Sequence, residues 1–262
     1  MGDFKWIDLE IRENGIAILT MNRPDAMNAF NWDLCPEMVE AYKIVEERDD
    51  IKVLVLTGAG KGFSAGGDIS LLFSMQTPAE AKVTYDISTA VIKGLYDIKK
   101  PVICAVNGPV AGASTALMMA CDLIIASENA KFGFTFSKIA FCPDSGCSYF
   151  LTRKVGYHKA AEILWYGKLL SSQEALDLGL VNTLVPEGQA LSEAINWAER
   201  LIQMPLMTIG YDKKLLRESM KNDFYQQAEL ESMYQILMWS SDDFKEGCMA
   251  FAEKRKPNFK GK

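Results

Sequence analysis

The stretch Lys52-Val53-Leu54-Val55-Leu56-Thr57-Gly58, followed by Gly62-Phe63-Ser64-Ala65-Gly66-Gly67-Asp68-Ile69, sets the fold class. Val53 to Thr57 is an apolar run of strand length that stops at a glycine, and the small-residue loop beyond it leads into a helical pattern from Pro78 to about Ile98. The arrangement recurs: Pro101 to Val106 reads as a strand ending at Asn107-Gly108, and Gly112 to Ala120 reads as a helix. Upstream, Lys5 to Glu13 alternates loosely, Asn14-Gly15 intervenes, and Ile16 to Met21 resumes an apolar run, a hairpin signal. Asn31 to Arg48 carries Leu34, Met38, Ala41 and Val45 at helix spacing. Asp122 to Ala126 and Gly179 to Val185 read as further strands, and from Glu187 to about Arg255 the pattern is helical. Strands alternating with helices, with small-residue loops just after the strands, make an α/β layered domain.

The chain has 262 residues, enough for one large domain, or one domain with a helical appendix, with a core that needs no metal or disulfide. Hydrophobic residues are 49% and charged residues 24%, an ordinary globular composition. A net charge of -6 argues against general nucleic-acid binding, which needs a cationic face. One candidate for a local basic patch is the tail Lys254-Arg255-Lys256, Lys260 and Lys262. Six cysteines, Cys35, Cys104, Cys121, Cys142, Cys147 and Cys248, are irregularly spaced without a CxxC pair and read as reduced, buried small hydrophobes. Met1-Gly2-Asp3-Phe4-Lys5 has no signal-peptide pattern, no apolar run reaches membrane-spanning length, and Phe259-Lys260-Gly261-Lys262 is not a peroxisomal address. The expectation is a cytoplasmic protein with no membrane and no nucleic-acid partner.

Much chemistry is missing. The single histidine, His158, stands just before a helical stretch, a surface position, and no GxSxG, HExxH, P-loop or GxGxxG occurs. What remains is the pair of small-residue loops, Gly62 to Ile69 and Asn107-Gly108-Pro109-Val110-Ala111-Gly112-Ala113-Ser114. Small side chains let a ligand approach the backbone, and the second loop opens a helix whose free N–H groups favour a developing anion. Two such N–H groups aimed at one oxygen form an oxyanion hole. Each loop taken alone reads first as a tight strand-to-helix turn.

Four motifs carry a resemblance. Asn22-Arg23-Pro24 with Asn28-Ala29, Phe63-Ser64-Ala65-Gly66-Gly67-Asp68-Ile69, Asn107-Gly108 through Gly112-Ala113 to Cys121-Asp122, and Phe251 to Phe259 follow the order found in the crotonase superfamily, over nearly the whole chain. The resemblance implies a crotonase-like superhelix of ββα turns over residues 1–186 and a C-terminal helical trimerisation region over 187–262, in trimers or hexamers. It implies an acyl-CoA substrate, with coenzyme A part of that substrate and no separate cofactor or metal. It places the oxyanion N–H groups at Gly67 and Ala113. Ala65, Gly66, Asp68 and Ile69 fall where the family contacts the coenzyme, and Arg23 and Ala26 where its first loop lines it. Phe251 and Lys254 fall where a neighbouring subunit closes over the adenosine phosphate end, although Phe251 also fits a helix core and Lys254 a solvated face.

The family's hydratases use two glutamates, and the matching positions here are Ala116 and Phe136, neither able to move a proton. A carboxylate stands one loop later, Asp144 in Phe141-Cys142-Pro143-Asp144-Ser145-Gly146. The text around it resembles Δ3,Δ2-enoyl-CoA isomerases and the ring-opening isomerases of phenylacetate breakdown, where a single acid occupies this place. Asp144 also suits an N-cap. As a lone base it would move a proton from C2 to C4 of a dienolate held by the two N–H groups, with Phe73, Phe136 and Phe141 as apolar walls that raise its pKa. Asp68 reads as a loop-shaping residue and Asp122 as structural. The alternatives are an enoyl-CoA hydratase, a hydrolase or dehalogenase with nucleophilic Asp144, and a catalytically inert binding module of the same fold.

Overall fold

A computed structural model describes residues 4–261; Met1 to Asp3 and Lys262, the last of the basic tail, lie outside the described residues. The chain opens with the expected hairpin, β1 (Ile7–Ile11) antiparallel to β2 (Ile16–Met21), turned at Gly15 with φ +90°. Helix α1 (Leu34–Glu47) follows, its first turn bonded to the Asn31 side chain, and then β3 (Val53–Gly58). The first small-residue loop runs into a short α2 (Ile69–Ser74) and the long α3 (Pro78–Asp97), which Thr77 caps. Next come β4 (Val102–Val106), β5 (Val110–Ala111), α4 (Ala113–Ala120), β6 (Leu123–Ser127) and β7 (Lys131–Gly133). A 3-10 turn at Phe136–Ile139 leads to α5 (Cys147–Val155), α6 (Tyr157–Trp165), β8 (Leu169–Ser171), α7 (Ser172–Asp177) and β9 (Thr183–Val185). Four helices end the chain: α8 (Ala190–Ile202), α9 (Leu206–Glu218), α10 (Phe224–Trp239) and α11 (Asp242–Glu253).

The main sheet has the order β1-β2-β3-β4-β6-β9, parallel except at the hairpin, and a smaller sheet has the order β5-β7-β8. Side chains of a strand alternate between faces, and the two faces here meet two separate cores. Leu54, Leu56, Val102, Cys104 and Val106 pack with α1, α3 and α4 residues, whereas Val53, Val55, Ile103 and Ala105 pack with Ala190, Ala194 and Ala198 of α8. A sheet covered on both sides needs no polar face, which is why β3 and β4 are uninterrupted apolar runs.

Strand β9 begins at Thr183 rather than at Gly179. Gly179, at φ +68°, closes α7: its N–H bonds to Leu176 and that of Leu180 to Ala175, a Schellman motif that uses the residues read as strand. Helix α8, beyond the expected boundary at residue 186, is a layer of the sheet core. Beyond α8, the first residue of α9, Leu206, still packs on that core, and α9 docks where Asp122 takes Lys213 Nζ at 2.6 Å and Arg217 Nη2 at 3.2 Å. Asp122 is therefore structural, as expected. Cys142 and Cys248 are exposed, unlike the four other cysteines, because they fall on a loop and on an outward helix face. His158 is exposed on α6. In the basic tail, Arg255 is paired with Glu246 and Glu253. Among the described residues, no helix is long and apolar enough to cross a membrane.

Candidate active site

The two small-residue bends are stitched into one wall. Phe63 donates to Pro109 O at 2.9 Å and Ala111 to Ser64 O at 2.9 Å. Behind them the Asn28 side chain, fully buried, donates to the carbonyls of Ala59, Gly62 and Phe63 and accepts from Arg23 N, bracketing the first bend. Ser64 Oγ lies 2.7 Å from Asn28 O and 2.5 Å from Ser114 Oγ. A carbonyl only accepts, so Ser64 donates to Asn28 and Ser114 donates to Ser64.

This stitching leaves two donors over. Phe30 donates to Gly66 O at 2.7 Å and accepts from Asp68 N at 3.0 Å, a parallel bridge that turns the intervening Gly67 N–H to the opposite side. Ala113 is the first residue of α4, where no carbonyl of the preceding turn reaches its N–H. Among the described residues neither N–H has a hydrogen-bond partner. The bends touch: a Cβ added at Gly66, φ +88°, would stand 3.0 Å from Ala113 N and 2.6 Å from Ala111 O. Only glycine fits there.

Gly67 and Ala113 line a cavity of about 380 Å³, and Asp144 lines it as well. Ser145 and Gly146 both have positive φ, 51° and 86°, and Cys147 N donates to Asp144 O at 2.8 Å, closing a tight turn with Asp144 at its head. The N-cap of α5 is Gly146 without any side-chain bond, so Asp144 does not cap that helix. Its Oδ1 is shut off from solvent and has no partner. Burial raises the Asp144 pKa, with the Ser145 hydroxyl and local backbone pulling partly back. The nearby thiols are not nucleophiles at neutral pH, because burial pushes Cys35 and Cys147 up to about 12.

Of the expected walls, Phe136 and Phe141 line the cavity, and Phe73 does not: it is 82% exposed on the outer face of α2. Tyr85, Ile87 and Ser88 of α3 close that side instead. Ala116 is buried inside α4, and no carboxylate occupies either its position or that of Phe136.

The other expected residues divide. Ala65, Asp68 and Ile69 line the cavity, and Gly66 lies buried beneath it. Asp68 caps α2 through Ser70 and pairs with Arg23 Nη2 at 3.0 Å. The Ser70 hydroxyl first, and Arg23 after it, hold the Asp68 carboxyl below its ordinary range, the loop-shaping role expected. Arg23 also donates to Ala29 O, so its guanidinium fastens the first loop to the bend, while Ala26 sits half-buried in a 3-10 turn outside the cavity. Phe251, 88% exposed on α11, and Lys254, exposed at its C-terminus, are not at this chain's cavity, and Phe251 is no core residue. Tyr85 escapes sequence reading, since its place on α3 is that of any half-buried helix residue.

The model of the enoyl-CoA hydratase/isomerase family matches residues 11–262. The chain is similar to 1,2-epoxyphenylacetyl-CoA isomerase of Escherichia coli, 35% identical with 95% of this chain and 97% of that protein aligned. It is also similar to crotonyl-CoA hydratase of Syntrophomonas wolfei, 34% identical over 95% of each. Among solved structures, an enoyl-CoA hydratase from Bacillus anthracis superposes with a TM-score of 0.94 at 28% identity, covering 98% of this chain and 100% of that one. The α/β core with its C-terminal helices is thus the crotonase fold, and the expected superfamily is the right one. Isomerases and hydratases both stand among the relatives, so the likeness reaches the thioester chemistry and stops before the particular reaction. With the family model matching residues 11–262 and relatives aligned over nearly its full length, the chain is an acyl-CoA thioester enzyme and belongs to the enoyl-CoA hydratase/isomerase family.

Proposed function

We propose that the protein is an enoyl-CoA isomerase of the Δ3,Δ2 type, in which Asp144 is the single base. The observation that carries this reading is one carboxylate with a free oxygen, Asp144, on the same cavity as the Gly67 and Ala113 amides, which have no partner among the described residues, in a site whose two hydratase positions hold alanine and phenylalanine. The second acid on the lining, Asp68, is occupied by Arg23 and Ser70. The thioester carbonyl binds between Gly67 N and Ala113 N, which acidifies C2. Asp144 takes the C2 proton and returns it at C4, and the dienolate charge rests on the oxygen held by the two amides. Each such donor contributes about 3–4 kcal/mol to lowering the barrier. One base suffices because the proton never leaves the substrate face, so no cofactor is required. The similarity to a coenzyme-A isomerase of Escherichia coli supports the same reading.

Ala65, Gly66, Asp68 and Ile69 form the coenzyme rim in this proposal, with Arg23 and Ala26 behind it. Phe251 and Lys254 reach a neighbouring copy, in a trimer or hexamer. The exposed Phe224, Tyr225, Ile236 and Trp239 of α10 support self-association, because such a face needs a cover. Sedimentation equilibrium should give a mass of three or six chains; a monomer would remove this part. Six cysteines without a disulfide support a cytoplasmic location.

The reaction is tested by incubating the enzyme separately with a 3-enoyl-CoA and a 2-enoyl-CoA. The expected products are the conjugated 2-enoyl thioester from the first and no 3-hydroxyacyl thioester from the second. Rapid hydration of the 2-enoyl substrate would overturn the proposal.

A further inference from the structure

Two polar atoms on the cavity wall are shut off from solvent without a partner, Oδ1 of Asp144 and the hydroxyl of Tyr85. One is an acceptor and the other a donor. They come from different elements, the turn before α5 and the middle of α3, and both residues line the same cavity. The elements are clipped together beside them: Ser88, three residues after Tyr85 and so on the same face of α3, has its Oγ 3.4 Å from Ser145 Oγ, next to Asp144. The Tyr85 ring also packs against Phe141, with centroids 6.2 Å apart. A buried hydroxyl or carboxylate left unpaired is costly, and each of these is the kind of partner the other lacks.

We infer that Tyr85 is a positioning residue for the base: its hydroxyl donates to Asp144 Oδ1 when an acyl group fills the cavity, aiming the carboxylate at the substrate. This rests on the reading of Asp144 as the base. The charge of Asp144 acts on the Tyr85 phenol, whose pKa burial raises and Asp144 raises further, so the two groups sense each other. The need is chemical. Filling the cavity expels water, which favours the neutral acid, and a neutral acid cannot take a proton. Besides Tyr85, the titratable groups on this side are Cys147 on α5, and on the remaining lining Lys138, Asp68 and Cys35. Cys147 is held neutral by burial and bonds Thr115, and Asp68 is paired with Arg23. Tyr85 therefore carries the hydroxyl with no other partner that can keep Asp144 ionised.

The test is Tyr85→Phe, which keeps the ring and removes the donor. The acidic limb of the kcat profile for a 3-enoyl-CoA should move up by roughly one to two pH units, the size of one hydrogen bond to an ionised group, with KM little changed. A residue that merely packs would lower kcat evenly across pH and leave the limb in place, which would overturn the inference. The Asp144 carboxyl is also read directly, by NMR titration of isotope-labelled aspartate in the saturated butyryl-CoA complex, with Asp144→Asn assigning the signal. An unchanged Asp144 titration in Tyr85→Phe sinks the inference whether or not the enzyme isomerises, and absence of isomerisation by the wild type sinks only the proposed reaction. Should Tyr85→Phe not fold, labelled tyrosine in the wild-type butyryl-CoA complex serves. The Tyr85 signal is expected to follow the Asp144 titration and to lose that response in Asp144→Asn, and a signal indifferent to Asp144 overturns the inference.

Discussion

The two walls of the cavity are built on opposite rules. The bends at 62–69 and 107–114 are main chain, cross-linked by Asn28, Ser64 and Ser114, and their free donors are the backbone amides of Gly67 and Ala113. The facing wall, α3 and the segment from Phe136 to Cys147, works through side chains: Tyr85 and Asp144 keep unpaired polar atoms, and Ala140 and Ser145 hold left-handed backbone without being glycine. A main-chain wall cannot be redesigned by exchanging side chains, which suits it to the proposed grip on a thioester oxygen. A side-chain wall is where one fold acquires different reactions.

The contrast can be broken by experiment. Asp144→Asn should lower isomerisation by about 10²–10⁴-fold, the usual worth of a positioned base, while calorimetry finds unchanged binding of butyryl-CoA. Comparable loss of binding would move Asp144 to the recognition wall. Gly66→Ala should attack that wall itself: its Cβ would sit 2.6 Å from Ala111 O in a left-handed conformation. A loss of about 1–3 kcal/mol of stability is expected in urea unfolding. Gly67→Ala, whose Cβ meets nothing within 4 Å, should leave the melting temperature where it was. Equal destabilisation by the two would show that the bends are not locked at Gly66.

A smaller effect sharpens the picture. Ser114→Ala removes the donor to Ser64 inside the wall and should cost about 1–2 kcal/mol of stability without moving the pH profile of catalysis. The subtlest prediction concerns stability against pH. The Asp144 pKa is raised in the folded state, so the folded chain holds that proton longer than the unfolded one. Its contribution to stability is therefore lost as pH rises from the ordinary carboxylate range through the raised value. Asp144→Asn should then melt higher than the wild type at neutral pH, with the gain vanishing in acid. A gain of the same size at both ends would mean that ionisation of Asp144 is not what strains this wall.

Much of the fold was legible because its signals are local. Asn14-Gly15 between apolar runs needs only its own backbone preferences to make a hairpin, and the unbroken runs of β3 and β4 announce strands whatever they pack on. The two bends were legible for the same reason: glycines stand where the chain must turn close to other backbone, and Gly66 has no room for a Cβ. Gly179 shows the limit of such reading. The apolar residues after it suit a strand, yet they serve to close α7.

Spacing alone did not give the class of chemistry: each small-residue bend reads by itself as a tight turn, and it is the resemblance of four ordered motifs to the crotonase superfamily that pointed to a thioester enzyme. Which side chains line the cavity is another matter. Asp144 reads by itself as a helix cap and with the resemblance as a base, yet α5 has Gly146 at its N-cap; Phe73 reads as cavity wall until α2 turns it outward, and Cys142 reads as buried until its loop proves open. Tyr85 gives no local sign at all. Its meeting with Asp144 depends on how α3 lies across the turn before α5, a contact whose neighbouring pair, Ser88 and Ser145, is 57 residues apart. Turns and periods are written into neighbouring residues, whereas juxtaposition across such a gap is a property of the packed core.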